Sequence, residues 1–228
     1  MGNSSRYDID VIFVSNGKNS LYRVTQAAIR SVKHSRVHPI VVESEPISYD
    51  ALTIHPKEEF NYNRFLNRGA AEGHAPYIAF CNNDVLFTPD WLNILSEMEA
   101  HNLRSASPIE TRHHKLRYKI LADTGIKKGY VTGLHFVGWC FVWERALWEQ
   151  LALDESFTFW CSDNIVCRQL QNLKISHGLV TSSEVIHADG GSKTLRKLNP
   201  ELKTKYTKEE VKRWNRLTGE NKFGWGIK

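Results

Sequence analysis

The chain has 228 residues, 41% of them hydrophobic and 24% charged, and carries a formal charge of +5. That suits one α/β domain with a small appendage, and the positive balance favours an anionic partner without naming one. Several classes are excluded: no apolar run approaches a membrane span, and Cys81, Cys140, Cys161 and Cys167 show neither a CxxC pair nor zinc-ligand spacing.

Asp8 to Ser15 opens as a β-rich run that turns continuously apolar, as a central parallel strand does. A polar loop, Asn16 to Asn19, leads to Leu21, Val24, Ala28 and Val32 at helical spacing, and Pro39 to Glu43 is a second short strand. Strand, helix and strand in that succession form a βαβ unit, so the sheet is expected to be parallel here. Ile47 to His55 reads as irregular, and Glu58 to Glu72 as a weaker, Asn-rich helix.

Tyr77 to Cys81 is an apolar run of strand length that ends in Asn82, Asn83 and Asp84. A carboxylate at a strand's C-terminal end lies where open α/β sheets bind ligands, and a divalent cation on phosphate oxygens needs such a group. An isolated Asn-Asn-Asp also serves as a turn cap. Val85 to Phe87 resumes the apolar pattern; Thr88 and Pro89 then predict a helix start, with Trp91, Leu92, Leu95 and Met98 on one face.

From His101 to Lys128 the chain turns basic, consistent either with a solvated loop or with a phosphate-facing surface. His135 to Trp143 is a strand-like aromatic run broken by Gly138, and Arg145 to Leu151 a short helix. Ser162 is the expected cap of a helix that carries Asp163 in its first turn, where dipole compensation alone would also explain a carboxylate. Gly178 to Ile186 is the last strand and delivers His187 into a glycine loop. A basic tail follows, with a capping box at Thr207 and Glu210 for a final helix.

Taken in order, these pieces resemble the family 2 glycosyltransferases. The resemblance rests on the first strand and helix, Glu43, Asn63 to Gly69, Phe80 to Val85, Trp91-Leu92, the Gly-Trp-Cys-Phe run leading to Arg145, Asp154 to Phe157, Ser162 to Asn164, and His187 with its glycines. It implies a GT-A fold: a Rossmann-like α/β domain whose mixed, mostly parallel sheet is flanked by helices, over residues 7–194. Residues 195–228 would form a basic helical extension.

The same resemblance implies site roles. Asp84 corresponds to the metal-binding carboxylate of the family's DxD motif, with Asn82 in place of the first Asp, and His187 to a further ligand of Mn²⁺ or Mg²⁺. Ser15, Asn16, Glu43, Arg64, Asn67, Asn82, Asn83 and Trp139 would bind the nucleotide sugar, a UDP-sugar being the expected donor. Asp163 corresponds to the catalytic base of an inverting, hexosyl-type transfer, with Glu155 as acceptor guide or alternative base. Free cysteines in apolar surroundings and a polar N-terminus without a signal-peptide core lead to the expectation of a cytoplasmic enzyme. The basic segments extend the reading to an anionic acceptor such as a modified base in DNA, as in viral systems. Two other classes fit the same features: a nucleic-acid-binding protein on this scaffold without catalysis, and a nucleotidyltransferase.

Overall fold

The computed structural model describes residues 6–18, 21–187 and 200–219, the stretch 200–208 by its backbone alone. The glycines after His187, the expected 194/195 boundary and the cations Lys193, Arg196 and Lys197 lie outside the described residues.

The β-rich opening forms β1 (Ile9–Ser15), buried along its whole length. It lies between β2 (Val37–Glu43) and β4 (Tyr77–Asn82), parallel to both, with Phe13 beside Val41 and Cys81. Its side chains alternate as a strand's must: Ile9, Val11 and Phe13 enter one core, Ile12 and Val14 the other. α1 (Leu21–Val32) closes the first core with Ala28, Ile29 and Val32. α2 (Tyr62–Glu72) closes the second with Phe65, Leu66 and Ala70. The stretch expected to be irregular contains a short strand, β3 (Leu52–Ile54), parallel on β2.

Beyond β4 the sheet becomes mixed. β5 (Val85–Phe87), β6 (Ser105–Glu110), β7 (Ile126–Lys128), β8 (Cys140–Glu144) and β9 (His177–His187) complete the order β3-β2-β1-β4-β8-β6-β9-β5, with β7 also on β9. β8 runs antiparallel to both β4 and β6. A register shift after Pro108 skips residues of β9, so that its last stretch lies against β5 and sets His187 opposite Val85. Bulges commonly redirect strands in this way.

α3 (Asn93–Ala100) starts later than Thr88 and Pro89 suggest, because the Thr88 hydroxyl donates to the Glu184 carbonyl at 2.9 Å rather than capping a helix. The basic stretch is neither loop nor surface alone: it holds buried β6, α4 (Thr111–Tyr118) and β7. α5 (Arg145–Leu151) and α6 (Ser162–Asn172) follow β8. The final helix, α7 (Pro200–Thr218), begins well before the expected capping box. Glu210 is therefore mid-helix, and Val211 and Trp214 join the second core. All four cysteines are free and buried.

One buried ion pair locks the sheet to α5. Asp10, 1% exposed, accepts from Arg145 Nη2 at 2.6 Å, from the Ala75 N–H at 2.8 Å and pairs with His38 Nδ1 at 2.9 Å. These contacts lie at the N-terminal ends of the parallel strands. The ligand-binding end of such a sheet is the opposite one, where β1, β2 and β4 deliver Ser15, Glu43 and Asn82.

Candidate active site

Three strand ends and one helix start build the site. β4 ends in Asn82, and the turn to β5 carries Asn83 and Asp84. Because Val85 pairs with His187, the sheet itself brings the Asp84 carboxylate and the His187 imidazole together: Oδ1 and Nε2 are 3.0 Å apart, each side chain about 15% exposed. The Trp139 ring stacks on His187 with centroids 5.3 Å apart, and His113 meets the same indole edge-on at 4.9 Å. Among the described residues the Trp139 indole nitrogen is buried without a hydrogen-bond partner, as are those of Trp143 and Trp160.

Asp163 stands beside this group. Gly138, just before Trp139, leaves the space that its carboxylate occupies: a Cβ there would fall 2.7 Å from Asp163 Cβ and 3.2 Å from Oδ2. The run expected to be one strand from His135 is irregular up to Trp139, β8 beginning only at Cys140, and the close approach implied by its glycine is to Asp163. The expected Ser162 cap is not formed: Cys161 is the N-cap, in the left-handed region, and the Ser162 hydroxyl donates to Asn63 Oδ1. Burial pushes the Asp163 pKa up, opposed by the Asn164 N–H that its Oδ1 accepts at 2.9 Å.

Tyr62 is a site residue that sequence reasoning missed. Its hydroxyl donates to Asn82 Oδ1 at 2.7 Å. Burial, and then the charges around it, Asp84 and Asp163 included, raise its pKa far above the ordinary value. A phenol held neutral between two carboxylates is a lasting hydrogen-bond donor. One Tyr at the start of an Asn-rich helix carries no spacing signal that would have revealed this.

A chain of side chains runs from here into the sheet. Asn83 Nδ2 donates to Thr25 Oγ1 at 2.8 Å, which meets Ser15 Oγ at 2.9 Å; Ser15 in turn contacts the Tyr49 hydroxyl at 3.1 Å. Tyr49 donates to Glu43 Oε2 at 2.7 Å, and Glu43 Oε1 accepts the N–H groups of Gly17 and Glu45 at 2.9 and 2.8 Å. Glu43 is wholly buried, so its carboxylate shapes the loop after β1, on which Asn16 is exposed. Thr25 and Tyr49 also escaped the sequence reading, being ordinary members of a helix and a loop.

Arg64, Asn67 and Glu155 form a separate cluster. Glu155 accepts from Arg64 Nε at 3.0 Å and from Asn67 Nδ2 at 3.1 Å, while Asn67 Oδ1 accepts from Trp148 Nε1 and the Leu153 N–H, each at 3.0 Å. At about 100° per residue along α2, Tyr62 and Arg64 point to nearly opposite sides. These three residues staple α2 to the α5–α6 connection, and no hydrogen bond joins them to Asp84, His187 or Asp163 among the described residues. The adjacent histidines His113 and His114 are likewise engaged, with the carbonyls of Gly133 and Leu134.

Asp84 Oδ1 and His187 Nε2 stand at 3.0 Å, an ordinary hydrogen-bond separation that ties the two side chains to each other. A carboxylate suits Mn²⁺ or Mg²⁺, and an imidazole beside it favours the transition metal of the two. Among the described residues no set of three or more His, Cys, Asp and Glu side chains assembles for a metal.

No family model matches the sequence, and no curated protein matches it significantly. Solved structures do. The mannosyltransferase PcManGT from Pyrobaculum calidifontis, solved with GDP-Man and Mn²⁺, superimposes with a TM-score of 0.64 at 13% identity over 93% of this chain. S. aureus TarS residues 1–349 gives 0.56 at 7% identity over 78%. The chain has the GT-A glycosyltransferase fold. It spans 65% and 59% of those two chains, and at these identities the GT-A likeness is one of fold. Among the described residues no helix is long and apolar enough to cross a membrane.

Proposed function

We propose that this protein is a metal-dependent, inverting glycosyltransferase that moves a sugar from a nucleotide-diphosphate donor, a UDP-sugar or a GDP-sugar, to an acceptor hydroxyl. The observation that carries this reading is the meeting of Asp84 and His187 at 3.0 Å, at the ligand-binding end of a GT-A sheet and beside Asp163. Asp84 and His187 would hold Mn²⁺ or Mg²⁺. The bound cation supplies charge neutralisation to the departing diphosphate.

The residues of this chain then have distinct tasks. Asp163 takes the proton from the acceptor hydroxyl; the acceptor oxygen bonds to the anomeric carbon as the bond to the diphosphate oxygen breaks, and one such displacement inverts that centre. Tyr62 fixes the Asn82 amide and so sets the strand end on which the sugar lies. The unpartnered Trp139 N–H donates to the donor. Glu43 acts on the nucleotide through the loop it shapes, with Ser15 and exposed Asn16. Glu155, Arg64 and Asn67 serve the placement of α2 rather than proton transfer, which favours Asp163 over Glu155 as base.

A panel of UDP- and GDP-sugars with Mn²⁺ or Mg²⁺ tests this, with released nucleoside diphosphate as the readout. At least one donor should be consumed, and only in the presence of the cation. Release of pyrophosphate from a nucleoside triphosphate, with no nucleotide sugar consumed, would replace the reading with nucleotidyl transfer.

A further inference from the structure

The charge of this chain is segregated. Between Thr111 and Lys128 lie Arg112, Lys115, Arg117, Lys119, Lys127 and Lys128, opposed there by Asp123 alone, a net equal to the formal +5 of the whole protein. The rest of the chain is therefore balanced. Elsewhere many cations pair, Lys18 with Glu45, Lys33 with Asp50, Arg36 with Asp8, Arg64 with Glu155, Arg68 with Glu58, Arg104 with Glu144 and Arg145 with Asp10, while exposed Lys57 and Lys174 have no ion-pair partner among the described residues. The six in this strip are exposed, and among the described residues none has an ion-pair partner. Two acids flanking α4 are occupied, buried Glu110 by the His113 N–H and half-buried Glu184 by the Thr111 hydroxyl.

The strip also has a direction and an apolar component. α4 grows straight out of β6, and its His113 touches Trp139, which stacks on His187. The helix that bears Arg112, Lys115 and Arg117 thus begins two ring contacts from the candidate metal ligands. Leu116, Leu121 and Val131, between 50% and 68% exposed, are interspersed with the cations. Unpaired cations hold a phosphate backbone, and exposed aliphatic side chains beside them offer unpaired bases an apolar contact. A sulfated glycan or a polyol phosphate would use only the cations.

We propose that α4, the following loop and β7 form a docking strip for a single-stranded nucleic acid, which leads an acceptor nucleotide towards Asp163. The acceptor role rests on the glycosyltransferase reading; the binding does not. The strip holds the phosphate backbone through Arg112, Lys115, Arg117, Lys119, Lys127 and Lys128, while Leu116, Leu121 and Val131 carry bases.

Fluorescence anisotropy with a labelled 20-nucleotide single-stranded DNA tests this in the full chain, with RNA and heparin as further probes. Lys115→Glu/Lys127→Glu is compared with Lys57→Glu/Lys174→Glu, which changes the net charge equally at exposed positions elsewhere. The strip variant should raise the Kd at least tenfold and lower the salt slope by about 1.4, roughly 0.7 per lost phosphate contact. The control should stay within twofold. Equal weakening in both variants, or heparin binding as tight as DNA at matched charge, overturns the proposal. Donor cleavage without DNA, followed in parallel, should be the same in both variants and the unmodified protein. A chain that cleaves no donor but shows strip-specific binding supports the docking strip and refutes the transferase reading.

Discussion

In the proposed reaction Asp163 would be the residue on which proton transfer depends, and its setting would fix the form of the pH dependence. Burial lifts its pKa above the ordinary carboxylate value, so the ionised form is lost earlier on acidification than for an exposed Asp. A base works only when ionised. The acid limb of kcat/KM against pH should rise with pH through an apparent pKa above 3.8, and Asp163→Asn should lower kcat by about 10² to 10⁴. A Glu155→Gln variant that lost as much, beside an active Asp163→Asn, would transfer the base role to Glu155. For single residues the sequence conveyed types better than partners. Asp84, His187 and Asp163 are named through the resemblance to the family 2 glycosyltransferases, since a carboxylate at such a strand or helix end, taken alone, also serves as a turn cap or dipole partner. Tyr62, Thr25 and Tyr49 could not be named, since their roles arise only when separate elements converge on Asn82, Asn83 and Glu43.

Among the elements, α7 has the least expected part. The Thr207–Glu210 pair matches a capping box, but the helix begins at Pro200. Glu210 instead accepts the N–H groups of Thr158, Phe159 and Trp160, just ahead of the helix that bears Asp163. A local motif was legible and a tertiary contact overrode it: three consecutive amide donors need an acceptor, and only the packed helix supplies one. Arg213 adds a bond to the Ser156 carbonyl. Glu210→Ala leaves these buried donors unmade and should cost about 2 kcal/mol or more, at about 1–3 kcal/mol per unsatisfied group with incomplete additivity. That is roughly 4–8 °C in Tm for a chain of this size, with kcat reduced because Asp163 loses its support. Glu210→Gln, which keeps an acceptor oxygen, should lose less. A scanning calorimetry trace unchanged in Glu210→Ala would mean that α7 is dispensable to the loop.

Across the full chain, the order of strands and crossover helices in the first half followed from hydrophobic period and length, since β1, β2 and β4 are local in sequence and largely buried on both faces. The second half was not legible in this way. β8 inserts between β4 and β6, and β9 reaches β5 only after a register shift, and long-range pairings of this kind leave no periodic trace. His177 ties that half together: its Nε2–H donates to the His135 carbonyl at 3.0 Å and its Nδ1 meets the Ser105 hydroxyl at 2.7 Å. Burial lowers its pKa to about 4 from 6.5. The folded state therefore refuses a proton that the unfolded chain accepts below pH 6.5, and stability falls as pH drops from about 6.5 to about 4. The loss approaches roughly 3 kcal/mol, because each pH unit separating the folded and unfolded pKa values is worth about 1.36 kcal/mol. Urea titrations at pH 7 and pH 4.5 should show it, and His177→Gln should flatten the difference.

The proposed function turns on Asp84 and His187 acting together as the cation post of a nucleotide-sugar site. Isothermal titration of a nucleoside diphosphate, UDP and GDP in turn, in the presence and absence of Mn²⁺ measures this without reliance on turnover or acceptor. The unmodified protein should bind one of them at least tenfold more tightly with Mn²⁺, and Asp84→Ala and His187→Ala should each abolish that gain while leaving the thermal transition in place. Binding that is equally tight without Mn²⁺, or a full Mn²⁺ gain in both variants, would show that these two side chains are partners in a turn and nothing more.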